Sequence, residues 1–396
     1  MSYGHQQGAP RRPEYGGGPG YGRPQGQSRR PEYHETRALP MPPTEDPRGR
    51  PPGQRRYDGP PPDNYGPPEE GYGPPPPPRR PRKRRRVGRT IGIVLLVILV
   101  AIAGVWFWLD TSINRVAALA DYPGRPAAAA GTNWLIVGSD SREGLTPEEK
   151  AKLATGDAGG KRTDTILVAH LPDNSTPATL LSLPRDSNVE IPGHGTSKIN
   201  AAFALGGAKL LVQTVELATG LRMDHYAEIS FGGFANIVDA IGGVEMNIDQ
   251  EMHDTKTGAT IKPGLQKLDG PQALAFVRMR YSSATPRSDL DRVVNQRKFI
   301  GALASEIASP GTLLNPFYLF PLLSNVPGAL TLDEGDHLHN LVGLGLAMGG
   351  ISDGSTVTTT VPVTDSSAKH WDDAKSKQLF DALRTDATIP PEAISK

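Results

Sequence analysis

The residues from Ile91 to Leu109 constrain this chain more than any others. They form an uncharged run of 19 residues, apolar apart from Gly92 and Gly104. At about 1.5 Å per residue, a helix of that length spans roughly 28 Å, the thickness of a bilayer's hydrocarbon core. Arg82, Lys83, Arg84, Arg85, Arg86 and Arg89 stand immediately before it, and Trp106 and Trp108 close its far end. Indole rings settle at the membrane interface, and basic residues stay on the cytoplasmic side. Residues 89–109 therefore read as a transmembrane helix, with residues 1–88 cytoplasmic and the C-terminal domain extracytoplasmic: a single-pass protein of the plasma membrane. A cleaved signal peptide has a much shorter charged region, and no convincing cleavage site follows the run.

The composition on either side agrees with this division. Residues 1–86 hold 22 of the 39 prolines and almost no Ile, Val, Leu or Phe. Such a segment cannot bury enough apolar surface to offset the entropy of ordering, so residues 1–88 are expected as a disordered Pro/Gly/Arg-rich tail. Residues 1–90 carry 18 Lys and Arg against 9 Asp and Glu; the rest carries 25 against 33. Beside a membrane span, the basic run sets orientation and touches anionic lipid, so no nucleic-acid partner is expected. The absence of cysteine excludes a disulfide scaffold, a thiolate zinc site, an Fe–S cluster and a cysteine nucleophile.

After a linker at 110–130, residues 131–390 read as one α/β domain. Asn133–Val137, Thr165–His170, Thr179–Ser182, Tyr226–Ser230, Val244–Ile248 and Thr356–Val363 are short β-rich runs. Thr146-Pro147-Glu148-Glu149 is a helix start with a capping box. Helical spacing continues through Asn200–Leu217, Phe234–Ile241, a segment opened by Pro271, Asp289–Ile307 and Trp371–Arg384. Strands alternating with helices predict a central mixed β-sheet flanked by helices.

Several familiar sites are missing. His337-x-His339 is the nearest approach to a zinc spacing, and two solvated loop histidines describe it better. Gly159-Gly160-Lys161-Arg162-Thr163 fails as a P-loop, because Thr155 and Arg162 occupy positions that need Gly and Ser/Thr. What stands out is arginine and aspartate beside predicted strand ends: Asp140-Ser141-Arg142, Arg162-Thr163-Asp164, Arg185-Asp186 and Arg278-Met279-Arg280. Arg292 and Gln296 share one helix face a turn apart. Arginine forks grip phosphate oxygens. Aspartate repels phosphate unless a divalent ion lies between them, and Mg²⁺ prefers one or two carboxylates plus phosphate oxygens. A metal-assisted diphosphate site at a sheet edge is the reading that uses all of these.

Seven ordered blocks then carry a resemblance. They are Leu135-Ile-Val-Gly-Ser-Asp-Ser-Arg142, Arg162-Thr-Asp-Thr165, Ser182-Leu-Pro-Arg-Asp186, Lys198-Ile-Asn-Ala-Ala202, the glycine-rich Phe231–Val244, Val277-Arg-Met-Arg280 and Ser288–Arg297. Together, Asn133–Phe299 resembles the LytR–CpsA–Psr family of cell-wall polymer transferases, and the proline-rich tail resembles that of actinobacterial members. The resemblance implies transfer of a glycopolymer phosphate from a polyprenyl-diphosphate carrier to peptidoglycan, with Mg²⁺ (or Mn²⁺) as cofactor and the membrane as partner. It implies that Asp140 and Asp164 hold the metal and that Arg162, Arg185, Arg278 and Arg280 clamp the diphosphate. Arg292 and Gln296 complete the pocket, Arg142 and Lys198 add substrate contacts, and Asp186 or Asp140 is the candidate general base. An apolar tunnel for the carrier is implied too, with Phe203, Leu211, Val215 and Phe234 as candidates. One departure is Asn295 where the family often has Arg, with Arg297 after Gln296. A non-catalytic polyprenyl-phosphate-binding scaffold and a polyprenyl-diphosphate hydrolase remain the alternatives.

Overall fold

The computed structural model of the protein describes residues 73, 84–141, 146–153, 163–254, 258–279, 289–365 and 367–395. Arg142, Arg162 and Arg280 lie outside these residues, as does the tail before Arg84 apart from Gly73.

The apolar run forms helix α1, Arg84–Ser112. Its stretch Val87–Ser112 is long and apolar enough to cross a membrane, and every residue from Val87 to Trp108 is exposed. The covering of the chain begins at Leu109, which is buried. Asp110 fastens this foot: its Oδ1 accepts from Leu338 N–H at 2.7 Å, and its Oδ2 meets His337 Nδ1 at 2.9 Å and Arg115 Nη2 at 3.2 Å. Within residues 110–130, read from the sequence as a linker, several side chains reach the domain. Ile113 and Ala118 are buried, and Arg125 reaches the buried carboxylate of Glu216 at 3.1 Å.

Seven strands make the central sheet: β1 (Asn114–Val116), β2 (Thr132–Ser139), β3 (Thr163–Leu171), β4 (Thr179–Ser182), β5 (His225–Ser230), β6 (Leu330–Asp333) and β7 (Val357–Thr360). Their order is β1-β6-β5-β2-β3-β4-β7. β1/β6, β5/β2 and β4/β7 pair parallel; β6/β5, β2/β3 and β3/β4 pair antiparallel. The mixed sheet with flanking helices expected from the alternation of elements is therefore present. Val244–Ile248 joins no central strand; it pairs with Gly264–Leu268 in a ribbon of its own.

Alternation along the strands divides the core. Leu135, Val137, Ile166 and Val168 face helices α2 (Ile199–Thr219) and the C-terminal Asp373–Arg384. Trp134, Leu167, Ala169 and Leu180 point the other way, toward Leu344 and Met348 of helix Leu341–Asp353. On that second side lie α3 (Phe231–Ala240), α4 (Gly270–Arg278), α5 (Asp289–Ala308) and α6 (Pro316–Ala329). α2 also has the length and composition of a span, but it is a core helix: Leu211, Val212 and Val215 are wholly buried. It kinks at Gly206-Gly207, where Gly207 has φ +66°.

Caps set several of these boundaries. Thr146 and Glu149 form the expected box, and Asp269 with Gln272 forms another at the start of α4. α3 starts where Ser230 accepts from Gly233 N–H at 3.1 Å. Gly233 also lets α3 lie directly on α6: a Cβ there would stand 2.4 Å from Ala329 Cα.

Candidate functional site

Register brings the predicted strand ends together. Ser139 of β2 pairs with Thr163 of β3 and with Ser230 of β5. Ser182 of β4 pairs with Leu167 of β3 and with Thr360 of β7. The ends of β2, β4, β5 and β7 and the start of β3 thus share one sheet edge. Asp140 follows β2 there, Asp164 is the second residue of β3, and Leu183-Pro184 carries Arg185 and Asp186 beyond β4.

A chain of alternating charges runs along this edge. Arg185 is ion-paired with Asp164. Its Nε stands 3.6 Å from Asp186 Oδ2, and Asp186 Oδ1 accepts from Lys198 Nζ at 2.6 Å. Lys198 ends the hairpin strand Gly195–Lys198, immediately before α2. Arg185, Asp164 and Asp186 are each about one-fifth exposed (22%, 23% and 18%), so they are partly desolvated yet open to a ligand.

On the α3–α6 side, Asp164 borders a cavity of about 90 Å³. Ile136, Ile229, Phe234, Leu274, Val277 and Ile300 supply apolar walls; Asp164, Arg278, Arg292 and Gln296 supply polar groups. Arg278, the last residue of α4, lies over the Phe231 ring at 4.6 Å and donates through Nη1 to Leu153 O at 3.5 Å. Arg292 and Gln296 are buried one turn apart on α5, and Gln296 Nε2 donates to Val277 O at 3.0 Å. On the other side, Arg185, Asp186, Ser197, Lys198 and Asn200, with Ala201, Ala204 and Leu205, line an open groove of about 550 Å³. The charged chain lies between the apolar cavity and this open groove of mixed lining.

The structure thus gathers Asp164, Arg185, Asp186, Lys198, Arg278, Arg292 and Gln296 around this boundary, with Asp140 on the neighbouring strand end. Phe234 lines the cavity. Phe203, Leu211 and Val215 do not: they pack with Leu135 and Val137 on the opposite face of the sheet. Arg297, which follows Gln296 in the last sequence block, is also buried; its Nη1 donates to Thr360 Oγ1 at 3.2 Å, beside the end of β4. Burial pushes its guanidinium down to about 10. Ile136, Ile229, Leu274, Val277 and Ile300 carry no mark in the sequence that separates them from ordinary core.

Among the described residues, no group of three or more His, Cys, Asp or Glu forms a metal cage. Asp140 and Asp164 offer two carboxylates on adjacent strands. That donor set fits Mg²⁺ when substrate phosphates supply further oxygens.

The charged sheet edge of this α/β domain thus lies between an apolar cavity and an open groove. The chain matches the LytR_cpsA_psr family over residues 114–388 and belongs to that family. It is 52% identical over 304 residues to the probable cell wall biosynthesis protein LcpB of Corynebacterium glutamicum, covering 74% of this chain and 70% of that one. It is 32% identical over 277 residues to the polyisoprenyl-teichoic acid–peptidoglycan teichoic acid transferase TagU of Oceanobacillus iheyensis, covering 64% and 80% respectively. The fold is shared with the LytR-Csp2A-Psr enzyme from Actinomyces oris: TM-score 0.54, 24% identity, 69% of this chain and 96% of that one.

Proposed function

We propose that the protein transfers a glycopolymer phosphate from a polyprenyl-diphosphate carrier to a peptidoglycan hydroxyl, at the outer face of the plasma membrane that α1 crosses with its N-terminus cytoplasmic. The observation that carries this reading is the alternating chain Asp164–Arg185–Asp186–Lys198 between the two compartments. The apolar cavity suits the prenyl tail, the charged edge suits the diphosphate, and the open groove beside Asp186 and Lys198 suits the acceptor glycan. The activity named for the TagU relative supports the same assignment.

The acceptor oxygen forms a bond to the glycan-linked phosphorus, and the bridging P–O bond breaks. Polyprenyl phosphate leaves with the bridging oxygen and its electron pair. Arg185 and Arg278 hold the diphosphate oxygens, and buried Arg292 meets charge from the cavity side, where low dielectric strengthens each contact. Asp186, oriented by Lys198 at the groove, takes the acceptor proton. Asp140 and Asp164 would hold Mg²⁺, which neutralises diphosphate charge when bound.

The test uses full-length protein in lipid nanodiscs with a polyprenyl-diphosphate glycan and peptidoglycan fragments. Transfer that needs Mg²⁺, stops with chelator, and falls in Asp164→Ala and Arg278→Ala supports the assignment. Carrier binding with no turnover under any condition overturns it in favour of a scaffold, and glycan release to water with acceptor present indicates a hydrolase.

A further inference from the structure

Four large apolar side chains stand in the open on and just before α6. Leu314 is 82% exposed, Phe317 84%, Phe320 68% and Leu313 46%. A solvated helix face ordinarily carries charge. Here no Asp, Glu, Lys or Arg occurs from Ser309 to Leu332, in a chain that is 21% charged. The exposure is imposed by packing and capping. Pro316 opens α6, Asn315 caps it by accepting from Phe317 N–H at 3.0 Å, and buried Leu322 and Ala329 pin its other side to the core. The result is a fixed apolar shelf.

The position of the shelf identifies what covers it. α6 packs against α1, and the residues of α1 from Val87 to Trp108 are all exposed. Leu109 is the first buried residue of α1, just beyond Trp106 and Trp108. Asp110, Arg115 and Leu338 then fasten the foot of α1 to the domain with no free tether between them. The shelf is held where α1 leaves the bilayer.

We propose that Leu313, Leu314, Phe317 and Phe320 are embedded in the outer interfacial layer of the membrane that α1 crosses, so that α6 lies along the bilayer surface. Aromatic and aliphatic side chains on a short uncharged helix suit the boundary between head groups and acyl chains. A contiguous apolar surface of this kind marks an interaction site rather than ordinary solvated surface. The inference rests on α1 being a span and deepens the proposed function. α6 lies directly under α3, whose Phe234 lines the apolar cavity. A prenyl chain leaving the bilayer beside α6 then has one helix layer to pass before it reaches the cavity.

The chain has no cysteine, so single-cysteine variants of the full protein report one site each. Leu314→Cys and Phe317→Cys would carry an environment-sensitive fluorophore in nanodiscs holding one protein, with spin-labelled lipids quenching at known depths. Leu265→Cys, at a residue 69% exposed on the Gly264–Leu268 ribbon, is the solvent reference, and Val97→Cys reports on the span. The expected result is quenching at 314 and 317 by shallow spin labels, at 97 by deep ones, and at 265 by aqueous iodide alone. Labels at 314 and 317 that follow 265 overturn the shelf while leaving the anchor intact. Protection at 314 and 317 that requires two proteins per disc, without lipid quenching, overturns it in favour of a second copy. An unquenched label at 97 overturns the anchor, and the shelf with it.

Discussion

Replacing Arg297 with Met tests whether a buried cation is held at a cost. Arg297 is 5% exposed, with Thr360 Oγ1 at 3.2 Å from its Nη1. Burial lowers its pKa from the ordinary arginine value to about 10. At about 1.36 kcal/mol per pKa unit, that difference is worth ~3 kcal/mol against the folded state at neutral pH. The unfolded chain holds this proton more tightly, so by linkage the cost is complete below pH 10 and fades as pH climbs toward the ordinary arginine pKa. Met keeps the unbranched stem and removes the charge. We expect Arg297→Met to raise unfolding stability by about 1–3 kcal/mol at pH 7.5, within the range for uncharged replacements of buried charges. Urea unfolding of the full protein in detergent, followed by near-UV circular dichroism, measures it. Saturating polyprenyl diphosphate should then stabilise the wild type more than the variant, since the anion offsets a charge that Met lacks. A variant less stable than wild type by 1 kcal/mol or more, on the scale of a lost hydrogen bond, refutes the reasoning. The guanidinium would then be compensated in the free protein.

Gly233→Ala should cost about 1–3 kcal/mol by overpacking, because its new Cβ meets Ala329 Cα at 2.4 Å; thermal unfolding reads the loss. Burial holds the His170 imidazole below its ordinary 6.5 even with Asp386 at 2.9 Å, so its contribution is complete above pH 6.5 and declines as pH falls below it. Stability measured from pH 7.5 to 5 should therefore drop less steeply in His170→Gln than in the wild type. Val277→Phe fills part of the apolar cavity and should raise KM for long-chain carriers while leaving a short-chain analogue unaffected, as steady-state kinetics with both carriers would show.

Local chemistry made much of the fold legible. Thr179–Ser182 and Val244–Ile248 were bounded correctly because β-rich residues lie between turn-forming ones. The capping residues of Pro147–Lys152 placed that helix from four letters. Elements that depend on distant partners were not legible. β1 is three residues long and exists through pairing with β6, more than two hundred residues away. Helix Leu341–Asp353 holds glycines at 343, 345, 349 and 350, a weak helical sequence that owes its form to packing on the sheet. The site divides the same way. Charges at strand ends announced the phosphate edge, whereas the cavity walls did not announce themselves. Helical spacing shows that Phe203, Leu211 and Val215 are buried, but it cannot say which side of the sheet they join. Ile136 lines the cavity while Leu135 and Val137 belong to the opposite core, a distinction set by one residue of strand alternation.

The fastening of α1 also sets a working distance. Ile113 is buried one residue after the helix ends, and strand β1 begins with the next residue. In the proposed orientation, the charged edge therefore stands at a constant height above the lipid and cannot swing outward on a leash.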